Sequence, residues 1–193
     1  DENFTMDADH VVTLGEELAR MNIRWSCTAR ITEINESLAR TMARHGCKSI
    51  LFGLGSGVPR LQDVLGTRED LKHSRELISQ MSRAGVNTIA AFSMGLPTET
   101  IKEFNETIRY ALSLDASSVR IEPCAPIPGT LLHEAALRDG RFLIRDWNEY
   151  RLPGQLIYLP RGRSEMEFRF AMWRAKAMAR LKQQTNRLFR SRL

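Results

Sequence analysis

Along most of the chain, apolar residues first recur at helical spacing and then crowd into a short continuous run, and this alternation repeats. Val11, Leu14, Leu18 and Met21 share one helical face behind a candidate N-cap at Asp7, Asn22 ends that helix, and residues 23–28 read as a short strand. A second helix, opened by Thr32 or Asn35, turns Ile34, Leu38 and Met42 inward and stops at Gly46 before a buried strand over 49–53. The third unit predicts a helix over 68–84, a stop at Gly85 and a strand over 88–94. The fourth begins near Thr98, places Ile101, Phe104, Ile108 and Leu112 inward, ends near Asp115 and feeds a strand over 118–122.

Helices alternating with compact apolar strands imply βα units and a parallel sheet. Right-handed crossovers then give either a barrel or an open doubly wound sheet, and alternation alone does not choose between them. Polar and glycine residues fall just after the strands, where both architectures bind ligands. The pattern breaks after Pro128-Gly129-Thr130: residues 131–137 predict a short helix and 141–160 an irregular stretch. A capping box of Ser164 and Glu167 opens a long helix, with Met166, Phe170, Trp173, Ala177 and Leu181 as the stripe expected to dock on the body. Residues 1–140 are accordingly read as one α/β body and 141–193 as an extension.

Composition changes little in this picture. Hydrophobic residues make up 42% and charged residues 26%, which suits a folded globular chain. No run approaches bilayer length and the start has no signal-peptide pattern. The first residue is Asp, and helical periodicity follows almost at once, so the reading treats the chain as a piece entered on its N-terminal side. Cys27, Cys47 and Cys124 lie far apart, which argues for a reducing, cytoplasmic setting and makes each a small core residue rather than a metal ligand. The four histidines read as surface residues. Charge is uneven: residues 161–193 hold ten basic and two acidic residues (+8), while the preceding 160 hold 18 basic and 21 acidic (−3).

The strand ends are more specific. Asp1-Glu2-Asn3-Phe4-Thr5 is similar to the "DDNF" turn after the second barrel strand of radical S-adenosylmethionine (SAM) enzymes. Trp25-Ser26-Cys27-Thr28-Ala29-Arg30 resembles their third strand, and Phe52-Gly53-Leu54-Gly55-Ser56-Gly57 their fourth-strand "FGVESG". Gly95-Leu96-Pro97-Thr98-Glu99-Thr100 resembles the fifth-strand "GLPGET", and Pro126-Ile127-Pro128-Gly129-Thr130 the "PxPGT" after the sixth. Five such elements in order carry the resemblance over residues 1 to about 140, closest to the branch that often has a cobalamin-binding domain upstream.

The resemblance implies a partial TIM-like (β/α) barrel, strands two or three to six, with a C-terminal helical extension. It implies SAM as cofactor, a 4Fe–4S cluster whose CxxxCxxC ligands this sequence lacks, and cobalamin in the intact protein. For SAM it assigns Glu2 as an acceptor for the ammonium or a ribose hydroxyl and Arg30 as the carboxylate partner. Ser56 and Gly57 allow close backbone approach, Gly95, Leu96 and Pro97 hold the adenine, and Glu122 faces the barrel mouth. Each has a structural alternative: Glu2 as a helix cap, Arg30 as a surface residue, Glu122 as a satisfied carboxylate. Gly55 stands where the family usually has an acidic residue, and position 58 is Val, so a nucleotide-type GxGxxG fails. Two other function classes stay open. The basic tail, with Phe170, Trp173 and Phe189, suits a nucleic-acid module, an assignment less favoured than a docked helix. A phosphate-binding (β/α) enzyme would need a glycine cradle after late strands, where only Gly129 and Gly140 lie.

Overall fold

The computed structural model describes residues 3–67, 69–144 and 146–190, with side chains to residue 186. Four parallel strands, β1 (Trp25–Ala29), β2 (Cys47–Gly55), β3 (Asn87–Met94) and β4 (Ser118–Pro123), stand in sequential order. Helices α1 (Ala8–Arg20), α2 (Glu36–Arg44), α3 (Pro59–Leu65), α4 (Leu71–Arg83) and α5 (Ile101–Ser113) alternate with them. Sequential order with helical crossovers is the arrangement of a barrel rather than of a doubly wound sheet, whose order reverses at a switch point.

Local chemistry places most boundaries where the sequence predicts them. Asp7, Asn35 and Asp70 accept from backbone N–H groups at the starts of α1, α2 and α4. Helix α5 starts at an N-cap Thr100 that forms a reciprocal capping box with Glu103, two residues later than the expected start at Thr98. Thr98 instead sits in the preceding turn at φ +62°, a left-handed conformation unusual for a β-branched residue. The Arg60 guanidinium holds that turn, donating to Thr98 O and Oγ1 at 3.0 and 2.9 Å and to both Glu103 oxygens at 2.7 and 2.9 Å. Arg60 belongs to α3, a short helix with Pro59 at its first turn that hydrophobic periodicity did not reveal.

The C-terminal extension departs further from expectation. The stretch expected to be irregular is tied down by an antiparallel pair, β5 (Gly140–Phe142) and β6 (Tyr158–Pro160), after α6 (Leu131–Asp139). Tyr158 is buried and donates to Asp139 at 2.8 Å. Helix α7 (Glu165–Arg190) packs along β4, but not through the predicted stripe. Met166, Phe170, Trp173 and Leu181 are 81, 62, 65 and 63% exposed. The opposite stripe of Phe168, Met172, Ala175 and Ala179 is buried instead.

The reason is steric fit. Ala175 and Ala179 let the helix axis come close to the sheet, and Phe168 fills space that only a glycine leaves. A Cβ on Gly95 would stand 2.6 Å from the Phe168 ring, and Gly95 itself has φ +77°. Phe168 also meets Phe104 edge-on at 6.1 Å. Farther along α7, Lys182 donates to the carbonyls of Leu112 and Leu114, and Asn186 to Ala116 O, closing the C-terminal end of α5. Replacing Phe168 by Ala is expected to cost about 3–5 kcal/mol in urea denaturation, whereas Phe170→Ala on the outer stripe should change stability by less than about 1 kcal/mol.

Candidate active site

Each strand shows its two faces by burial. Ile50, Phe52, Ala90, Phe92, Val119 and Ile121 are buried, and Phe92 meets the Tyr110 ring of α5 at 6.0 Å, so this face lies under the helices. The alternate positions form the inner, concave face. Registered pairs align Thr28, Leu51, Ile89 and Ser118 in one row, Gly53, Ala91 and Arg120 in the next, and Ser93 with Glu122 in a third. A recess of about 340 Å³ opens at the β1 side, lined by Phe4, Ser26, Thr28, Ser49, Leu51 and Ile89. At the β4 side Lys176 of α7 donates to Glu122 at 2.8 Å, each side chain about one-third exposed.

The sequence-assigned residues do not all reach this chamber. Glu2 lies outside the described residues; its neighbours tie the preceding turn to β1 through Phe4 N donating to Thr28 O and Asn3 and Thr5 donating to Glu33. Arg30 is exposed at the C-terminal end of β1, and its guanidinium lies near Glu69, whose carboxyl burial pushes up to about 7 against the pull of that cation. Ser56 is buried and pairs with Thr107 Oγ1 at 3.0 Å while accepting from Val58 N. A Cβ at Gly57 would meet Tyr110 Cβ at 2.7 Å, so that glycine makes room for α5. Leu96 and Pro97 are buried beside Gly95. Only Glu122, with Arg30 at the rim, presents a polar side chain to open space.

Ser49 at the recess, Arg120 on the inner face of β4 and Lys176 beside Glu122 are polar side chains that the sequence analysis does not single out. The alternation of Ser118, Arg120 and Glu122 with Val119, Ile121 and Pro123 was a readable signal for the first of the two cations. Nothing in the local sequence marks Lys176, because its role follows from where α7 packs.

Beneath the turn, the buried Glu99 accepts from Gly95 N at 2.6 Å through one carboxylate oxygen, while the other has no partner among the described residues. Burial pushes its carboxyl up to about 7, against the pull of that N–H and of the Arg163 guanidinium. Across the turn, the Arg60 hydrogen bonds hold Glu103 down at about 2. The half-buried Cys27 of β1 and the buried Cys47 of β2 share a thiol–thiol hydrogen bond, Cys124 is buried after β4, and among the described residues no group of three or more Cys, His, Asp or Glu side chains gathers to hold a metal. A 4Fe–4S cluster therefore does not fit on the residues described.

The sequence from residue 2 to residue 111 matches the model of the Radical SAM superfamily. The chain belongs to the radical SAM superfamily. It is 27% identical over 152 residues to an uncharacterized methyltransferase of Pyrococcus horikoshii, covering 78% of this chain and 33% of that protein. It is 28% identical over 102 residues to an uncharacterized protein of Methanopyrus kandleri, covering 50% of this chain and 19% of that protein. The chain thus spans a third or less of these curated relatives. Among solved structures, the radical SAM methyltransferase TsrM of Kitasatospora setae, with cobalamin and a [4Fe-4S] cluster bound, superposes with a TM-score of 0.63 at 19% identity over 72% of this chain and 27% of that one. Methylornithine synthase (PylB) gives 0.59 at 12% identity over 91% of this chain and 45% of that one, and coproporphyrinogen III oxidase of Escherichia coli gives 0.57 at 18% over 67% and 31%. These likenesses establish the radical SAM barrel fold, of which this chain supplies four consecutive strands and a C-terminal helix.

The Glu99 environment sets a pH test. Because its folded-state value lies above the ordinary 4.5, the stability this group contributes is complete below pH 4.5 and is lost as pH rises through about 7. Glu99→Gln keeps an acceptor for Gly95 N without the buried charge. In urea denaturation it should exceed the parent at pH 8.5 by on the order of 2–3 kcal/mol, with the gap nearly closed at pH 4.

Proposed function

We propose that the chain is the SAM-binding part of a radical SAM enzyme, with SAM lying across the C-terminal ends of the four strands. The reading is carried by one observation: the family-like turns at residues 53–57, 95–100 and 126–130 lie at the ends of β2, β3 and β4, and the one at 3–5, which precedes α1, is held to the end of β1 by Phe4 N donating to Thr28 O, so all four gather at one end of the sheet. Arg30 pairs with the cofactor carboxylate, Glu2 accepts from its ammonium or ribose, and Glu122 faces it from β4. The main chain around Ser56, Gly57, Gly95, Leu96 and Pro97 supplies the adenine contacts, its side chains being engaged in holding that main chain in place. Residues 1–140 form this cofactor-binding part and 141–193 the extension that closes its β4 side.

In an intact enzyme of this family a 4Fe–4S cluster would supply the electron for reductive cleavage of SAM and so the means for hydrogen abstraction, while the residues of this chain would bind and orient SAM. The methyltransferase name of the Pyrococcus relative and the cobalamin in TsrM support a cobalamin-linked methyl transfer; cyclisation and a cytoplasmic setting belong to the same proposal without support from these two. No helix of the described residues is long and apolar enough to cross a membrane. The chain by itself is expected to bind SAM in isothermal titration but to release no 5′-deoxyadenosine on reduction with dithionite. Arg30→Ala should weaken SAM at least tenfold; unchanged affinity would remove Arg30 from the site.

A second reading draws on the exposed outer stripe of α7, where the Phe170 and Trp173 rings stack at 5.8 Å between Arg169 and Arg174. Exposed aromatics flanked by arginines suit single-stranded nucleic acid. On this reading, oligouridylate binding would fall steeply with salt and disappear in Trp173→Ala.

A further inference from the structure

We infer that Arg120 is the receptor for an anionic group, a carboxylate or phosphate, on the molecule that reacts beside SAM. The inference rests on the lumen being the SAM chamber and adds to it the class of substrate. Arg120 lies at the middle of β4 on the inner face, between Ser118 and Glu122, and is exposed there, while its neighbours Val119 and Ile121 are buried under the helices. A guanidinium has only donors and stays charged at any working pH, so from this face it offers a planar fork suited to an anion.

None of the described residues provides that anion. Glu122, two residues along on the same face, is taken by Lys176 at 2.8 Å, and Gly154 packs beside it, where a Cβ would stand 3.4 Å from Glu122 Oε2. Among the described residues no carboxylate forms an ion pair with Arg120.

The row that contains Arg120 gives the shape of the ligand. Gly53 and Ala91 are its registered neighbours on β2 and β3, and nothing lies within 4 Å of where a Gly53 Cβ would stand. Below this low row run Leu51 and Ile89, an apolar shelf leading into the recess next to Thr28 and Ser49. A row of glycine and alanine, beside an apolar row and ending at an arginine, suits a flat or slender body with an acidic end. The lysine–glutamate pair next to Arg120 adds no net charge, so the end of the row remains cationic.

Two molecules could present the anion: the substrate, or SAM through its own carboxylate, which the proposed function gives to Arg30. Benzoate serves as a probe with a flat body and one carboxylate, and inorganic phosphate as a probe without the body. In amide-resolved NMR of the 193-residue chain, benzoate is expected to shift the Gly53, Ala91 and Arg120 resonances saturably, and to do so more tightly than phosphate. Arg120→Gln should weaken benzoate at least tenfold and leave SAM affinity within twofold of the parent, and Arg120→Lys should restore part of the loss. Shifts that survive Arg120→Gln, or that never appear at these residues, would overturn the inference. So would a loss of SAM affinity in Arg120→Gln matching that for benzoate, which would assign the guanidinium to the cofactor. A parent chain that binds benzoate through Arg120 but not SAM would instead sink the cofactor reading and leave an anion site.

Discussion

A parallel strand crossed over by helices must bury one face against them, and the whole inner chamber of this protein depends on how strictly that requirement is met. Ile50, Phe52, Ala90, Phe92, Val119 and Ile121 take the helix side almost without exposure. Every second residue is then committed to the other face, and there the chain places serines, a threonine, a glycine, one alanine, an arginine and a glutamate beside only two large apolar side chains, Leu51 and Ile89. Since a one-residue slip would exchange the two sets, the same packing that stabilises the sheet also fixes which side chains line the chamber.

The turns above the strands are built to be held rather than to grip. Ser56 and Thr107 pair beneath the β2 turn, and Gln62 donates to Leu54 O and Ser56 O from below. Arg60 spans from that segment to the β3 turn and fixes Thr98 and Glu103 together, so the two glycine-rich turns share one guanidinium. Their side chains are consumed in this scaffolding. What remains free at these turns is main chain held in a set position, which suits the proposed cofactor site without a large set of polar side chains.

Helix α7 couples the extension to the chamber. It carries two apolar stripes on opposite sides, and the smaller one docks because Ala175, Ala179 and the Phe168–Gly95 contact allow closer approach than the bulky outer set. That choice of face carries Lys176 to Glu122 and leaves Phe170 and Trp173 to solvent. A basic, two-sided helix of this kind suits a protein whose relatives extend well beyond the part seen here.

Periodicity and end signals were enough to determine the βα alternation, the parallel sheet, most helix starts and the order of the strand-end motifs, because these follow from spacing within one element or from caps a few residues away. They also placed Arg30 and Glu122 at strand ends. Three features could not be read in the same way. The short α3 has too few residues to show a period, the β5–β6 pair joins segments separated by a long loop, and the docked face of α7 was settled by the depth of the groove beside β4. The side-chain placements divided likewise: Ser56 and Gly57 pack against Thr107 and Tyr110, while Arg120 is exposed on the inner face and Lys176 pairs with Glu122. Sequence specifies which side chains a segment offers to each of its faces; only tertiary packing, through volumes and approach distances between segments remote in the chain, decides which face is covered and which is left to meet a ligand.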